Sequence, residues 1–142
     1  MWTRTGLVCV LLAAPLMAAE LPNFTGKWKL NESRTKGGNH RGTVFVIEHK
    51  DPAFRYTATG TLRMGGALNE SYEFTTDGKK PAVSDRVSAV GSWQGSTLVT
   101  DYLKGNAPLM TFTFRLSPDG KQLFRDAELK DGRRIHEVYD RQ

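Results

Sequence analysis

At 142 residues the chain has room for one domain and not two. Its formal charge of +5 is spread thinly, with no basic run longer than the pairs Lys79-Lys80 and Arg133-Arg134, a pattern of solvated surface that argues against nucleic acid as a partner. The lone cysteine, Cys9, excludes an internal disulfide, so the fold must rest on its core.

Residues 1–19 read as a signal peptide: one positive charge at Arg4, an uncharged stretch from Gly6 to Leu16 broken by Pro15, then Ala18-Ala19. The stretch is too short to span a bilayer comfortably, where about 20 apolar residues are needed. A retained anchor is the lesser alternative, and no lipid-accepting cysteine stands at the cut. The expectation is a soluble periplasmic or extracellular domain at 20–142, cysteine-free and without a stable membrane anchor. Met17, at the −3 position of an Ala19/Glu20 cut where a small residue is usual, leaves the cleavage point itself open.

Past the leader, turn signals recur at short intervals, among them Asp51-Pro52, Asp77-Gly78, Gly105-Asn106, Asp119-Gly120 and Asp131-Gly132. Between them lie nine runs of strand length, at about 24–31, 42–50, 53–63, 68–76, 83–92, 96–103, 109–117, 121–128 and 133–140. No gap holds a crossover helix and no window keeps a 3.6-residue period. An all-β antiparallel up-and-down meander of about 8–10 strands, with no major helix after the leader, is the expectation.

Alternation assigns faces. In the third run Phe54, Tyr56, Ala58, Gly60 and Leu62 share a side; in the fourth Tyr72 and Phe74 do; in the seventh Phe112, Phe114 and Leu116 oppose Thr111, Thr113 and Arg115. The second run, Val44-Phe45-Val46-Ile47, is apolar on both sides and leaves its register open. An open meander would expose two long edges, so closure into a barrel is expected, with Gly60 and Gly91 as candidate bends. The aromatics Phe54, Tyr56, Tyr72, Phe74, Phe112 and Phe114 would converge inside. They either fill the core or line a cavity for a small hydrophobic or amphipathic ligand.

Gly26-Lys27-Trp28, at the start of the first strand, resembles the Gly-x-Trp signature of lipocalins, and Thr100-Asp101-Tyr102 resembles that family's second motif. The resemblance implies that Trp28 plugs one end of the barrel and that a late arginine, Arg115, stacks on it, with Arg134 and Arg141 as competitors. Three runs follow Thr100-Asp101-Tyr102 and no C-terminal helix does, which leans toward the fatty-acid-binding-protein branch of the same superfamily. There an Arg and a Tyr two residues apart hold a ligand carboxylate; Tyr139 and Arg141 have that spacing in reversed order. The run Phe24 to Asn31, with Ser117-Pro118-Asp119-Gly120-Lys121, also resembles small exported bacterial proteins, for which a lipocalin-like fold without settled activity is implied. Thr25-Gly26-Lys27-Trp28 is similar to the opening of avidins, whose tryptophan-rich biotin box has no counterpart.

Chemistry is sparsely signalled. Glu48-His49 and His136-Glu137 are adjacent pairs, so each points to opposite faces of its strand and cannot chelate jointly. His40, His49 and His136 read as unpaired surface histidines, and no nucleophile elbow, phosphate loop or zinc-protease motif is present. The expectation is a non-catalytic barrel without metal or cofactor. Its ligand site would use Phe54, Tyr56, Tyr72, Phe74, Phe112, Phe114, Tyr139 and Arg141; Gly26, Trp28 and Arg115 would close the end. The alternative is a solid barrel that contacts a protein partner through its outer face or its basic loop Arg34–Arg41.

Overall fold

Ten strands follow one another in chain order: β1 (Gly26–Leu30), β2 (His40–Lys50), β3 (Ala53–Leu62), β4 (Ala67–Thr75), β5 (Ala82–Val83), β6 (Ser88–Gln94), β7 (Thr97–Lys104), β8 (Ala107–Leu116), β9 (Gln122–Glu128) and β10 (Arg134–Arg141). The computed structural model describes residues 20–84 and 87–142, so the expected signal peptide lies outside the described residues. Every strand pairs antiparallel with its neighbour in sequence except β4 with β5, and β1 pairs with β10. The result is an all-β meander forming a nearly closed barrel; among the described residues its one unladdered seam has β4 packed against β5 and β6. Closure gives β1, β2, β3, β7, β8, β9 and β10 partners on both sides, while β4 keeps one ladder and has its other edge covered by β5 and β6.

The expected run at 83–92 divides into β5 and β6. Ser84 bonds Val87 through both its N–H (2.9 Å) and its hydroxyl (3.0 Å), which folds the two-residue β5 back onto β6.

The inward faces in β3, β4 and β8 follow alternation: Phe54, Tyr56, Ala58, Phe74, Phe112 and Phe114 are all buried. In β2 the register is decided by a bulge. The β2–β3 pairing shifts between Arg41 and Val44, and Gly42 at the bulge has φ +61, a left-handed conformation that suits glycine. The extra residue puts His40 and Thr43 on the inside together, followed by Phe45, Ile47 and His49, all buried. Gly60 makes the space: a Cβ there would stand 2.8 Å from Thr43 Oγ1 and 3.0 Å from the Arg41 carbonyl.

Gly91 does the same for the seam. A Cβ on it would lie 2.8 Å from Phe74 Cε2 and 3.0 Å from the Thr75 carbonyl, so β4 approaches β6 only because nothing is there. Gly91→Ala is expected to lose roughly 1–3 kcal/mol through overpacking. A urea midpoint unchanged from wild type would show the seam to be slack.

Candidate functional site

In a meander alternate turns share an end. The β2–β3, β6–β7 and β8–β9 turns lie with both termini at one end, and the β1–β2, β3–β4, β7–β8 and β9–β10 connections lie at the other.

The first end is plugged. Trp28 is fully buried, its Nε1–H donating to the Phe24 carbonyl at 3.0 Å. The Arg141 guanidinium lies over the Trp28 ring, 4.1 Å from its centroid, and donates to the carbonyls of Thr25 and Gly120, each at 3.0 Å. Gly26 admits it, since a Cβ there would meet Arg141 Nη1 at 2.7 Å. Phe24, His49 and Trp93 cluster as three mutually adjacent rings, with centroids 5.7, 6.0 and 5.9 Å apart. Asp51 accepts from Thr76 (2.7 Å), from Trp93 Nε1 (3.1 Å) and from His49 Nε2 (3.1 Å), while His49 Nδ1 accepts from the Phe24 N–H at 3.2 Å. Partial burial pushes the Asp51 carboxyl up, but these three donors together hold it below the usual carboxylate range. Phe54, Phe74 and Phe114 complete this layer, with Phe54 centred 5.0 Å from Phe74 and 5.9 Å from Phe114.

The other half is open. A cavity of about 540 Å³ runs inward from the rim, walled by Phe45, Ala58, Tyr72, Tyr102, Met110 and Phe112, with Leu62, Leu68, Leu109, Leu129 and Ile135 around its mouth. The interior is therefore packed at one end and hollow at the other, which resolves the choice between a filled and a hollow barrel by splitting it.

A buried polar cluster forms the wall on the β9–β10 side. Arg125 and Glu137 are direct cross-strand partners, 7% and 1% exposed, joined by Arg125 Nη1 to Glu137 Oε1 at 2.7 Å. Glu137 accepts further from His40 Nε2 (3.0 Å) and from the Tyr139 hydroxyl (3.1 Å). Since the carboxylate only accepts, Nε2 of His40 carries the proton, and Nδ1 takes the Thr43 hydroxyl at 2.5 Å. Burial alone would raise the Glu137 carboxyl; the Arg125 charge and His40 outweigh it and bring it from 4.5 to about 2. The Arg125 guanidinium also lies 3.5 Å from the centroid of the Phe112 ring. Beside this cluster the Tyr56 and Tyr102 hydroxyls meet at 2.5 Å. Burial first, and the neighbouring Tyr102, push the Tyr56 phenol well up; burial and Glu70 push Tyr72 up to about 12, so both stay protonated.

Of the expected ligand residues, the structure brings Tyr72 and Phe112 to the cavity wall. Tyr56 and Tyr139 lie fully buried behind it, and Phe54, Phe74 and Phe114 pack toward the plug. Two arginine assignments change. Arg141 is the plug arginine and not a cavity residue, because antiparallel pairing sets it directly opposite Trp28. Arg115 stands on the outer face, over the Phe124 ring at 4.5 Å and 3.7 Å from Asp126, because alternation from the buried Phe114 turns it outward. His40 and His49 are buried and bonded, where surface positions were expected, and His136 is paired with Asp126 on the outside. Thr100-Asp101-Tyr102 lies within β7, with Tyr102 facing in and Asp101 bonded to Thr111 at 2.7 Å. Sequence reasoning missed Arg125 and Glu137. The resemblance that offered Tyr139 as a ligand residue, combined with strand alternation, would put Glu137 on the same face, and that was the available signal.

No protein-family model matches the chain, and no curated protein does. Among solved structures, the fluorescent protein UnaG aligns over 84% of this chain and 97% of its own, with TM-score 0.65 and 13% identity. A point mutant of the same protein aligns over 84% and 96%, with TM-score 0.63 and 16% identity. These alignments show the fold: a nearly closed antiparallel β-barrel shared with UnaG. The barrel has no helix over its mouth among the described residues: between β1 and β2 the chain makes a turn and a single bridge, Lys36 to His136.

Proposed function

We infer that this barrel is an exported carrier that holds one small apolar or amphipathic molecule in its hollow half, without catalysis. The single observation that carries the reading is the cavity of about 540 Å³, walled by apolar and aromatic side chains with a few convergent polar groups, a size suited to small-molecule sites. Commitment of the interior titratable groups to one another, with Glu137 bonded to three donors, favours holding a molecule over turning one over. Export rests on the leader-like residues 1–19, and N-terminal sequencing of the protein from its own host, beginning at or near Glu20, would support it.

The carrier reading is tested by narrowing the cavity. Ala58 is buried on the wall, and Ala58→Phe is expected to fill the space beside Tyr72 while the fold persists. Titration with Nile red should give saturable fluorescence for the wild type and a loss of affinity of about tenfold or more for Ala58→Phe. Equal binding by both would place the dye outside the cavity and end the reading. The competing idea, a protein-contact module acting through its outer face, predicts a bare mass by native mass spectrometry and no dye uptake.

A further inference from the structure

The deep end of the cavity is bounded by a charge that already has its counter-charge. Arg125 and His40 are the basic side chains on the buried part of the wall; Arg125 Nη1 is spent on Glu137 at 2.7 Å, and Arg133 at the exposed rim is paired with Asp131. Glu137 in turn is clamped by His40 and Tyr139, so it is not free to swing away and release the guanidinium. Two nitrogens are left over: Nε of Arg125 is buried without a hydrogen-bond partner, and both bonds to Glu137 run from Nη1, so Nη2 is not engaged there either. A second carboxylate faces the same space, because Glu70 is the register partner of the inward Ala58 and lines the cavity while remaining exposed.

We propose that the barrel selects an uncharged apolar molecule bearing a hydrogen-bond-accepting oxygen, an alcohol or a carbonyl, and discriminates against carboxylates. The inference rests on the carrier reading and specifies its ligand class. An acceptor oxygen that reaches Arg125 gains a bond to a donor that otherwise goes unmet, and it brings no charge into a site that is already neutral. A carboxylate in the same place would lie beside Glu137 and within the field of Glu70, and like charges sharing a low-dielectric site disfavour one another. The aromatic walls of Tyr72, Tyr102 and Phe112 accept the apolar body in either case, so the head group decides.

The test is a calorimetric titration of the full mature chain with lauryl alcohol, laurate and laurylamine, which share one tail. The alcohol should bind at least about tenfold more tightly than either charged partner. Laurate equal to or tighter than the alcohol overturns the proposal and leaves the carrier reading standing, whereas no binding by any of the three defeats both. Two variants sharpen the result. Glu137→Gln removes the internal counter-charge and should turn the preference toward laurate by about tenfold or more. An unchanged ratio in a variant whose far-ultraviolet spectrum is native would refute the role of Glu137. Glu70→Gln, at an exposed position, should raise laurate affinity several-fold at unchanged stability; no rise would remove Glu70 from the account. The wild-type series decides the matter even where Glu137→Gln is too unstable to titrate.

Discussion

Glu137→Ala should cost about 3–5 kcal/mol, enough to unfold most of the population in mild denaturant. The variant strands the Arg125 guanidinium, 7% exposed, without the carboxylate that balances it, and it also strips a partner from His40 and from Tyr139. The cost arises from the uncompensated buried charge and not from the worth of the pair as such. Removing both charges together, as Arg125→Met with Glu137→Leu, should therefore recover much of the loss. Urea midpoints for the two singles and the double close the cycle, and a single-variant loss under about 1 kcal/mol would show water reaching the pair.

The same pair gives the barrel a particular response to acid. Glu137 titrates at about 2 in the fold against an ordinary 4.5. A depressed carboxylate contributes its full stabilisation above about 4.5, and that contribution is lost as pH falls toward about 2. At roughly 1.4 kcal/mol per pH unit this amounts to about 3 kcal/mol. Thermal midpoints of the wild type should drop steeply across that window, while the Arg125→Met, Glu137→Leu variant should lose less there. Parallel curves for the two proteins would assign the acid sensitivity elsewhere.

At the plugged end, Trp28→Ala should cost about 3–5 kcal/mol. Trp28 is fully buried, donates to Phe24, carries Arg141 on its face and faces Phe45 across β2, so deletion of the ring leaves a void that rigid strands cannot collapse. Trp28→Phe should lose less, since it keeps a ring beneath the guanidinium. Arg141→Ala should lose roughly 1–2 kcal/mol, the cation–π contact and two carbonyl bonds at a partly wet site. The cavity lies in the other half of the barrel, so dye affinity per folded molecule should stay at the wild-type value in Trp28→Phe. A parallel loss of stability and affinity would mean that the two halves are mechanically coupled.

Much of the fold was legible from the chain alone, for a local reason. Tight turns need residues such as Gly, Asn and Asp, and antiparallel strands with one dry face alternate, so strand positions and the inward sets Phe54/Tyr56/Ala58 and Phe112/Phe114 follow from spacing of two. Gly26 and Trp28 could be read as one end of a barrel only through their resemblance to the lipocalin signature. What spacing could not reach was anything that depends on which strand lies opposite. The bulge at Gly42 puts His40 inside, because one extra residue changes the face of everything before it. Pairing of β1 with β10 delivers Arg141 to Trp28, and pairing of β9 with β10 sets Arg125 against Glu137. A charged residue in a strand reads as outward by default, since burial is costly unless a partner is waiting, and the partner here comes from another strand. The signal for an all-β barrel thus lies in local pattern. The hollow half and its neutralised charge exist only once register has brought distant strands together.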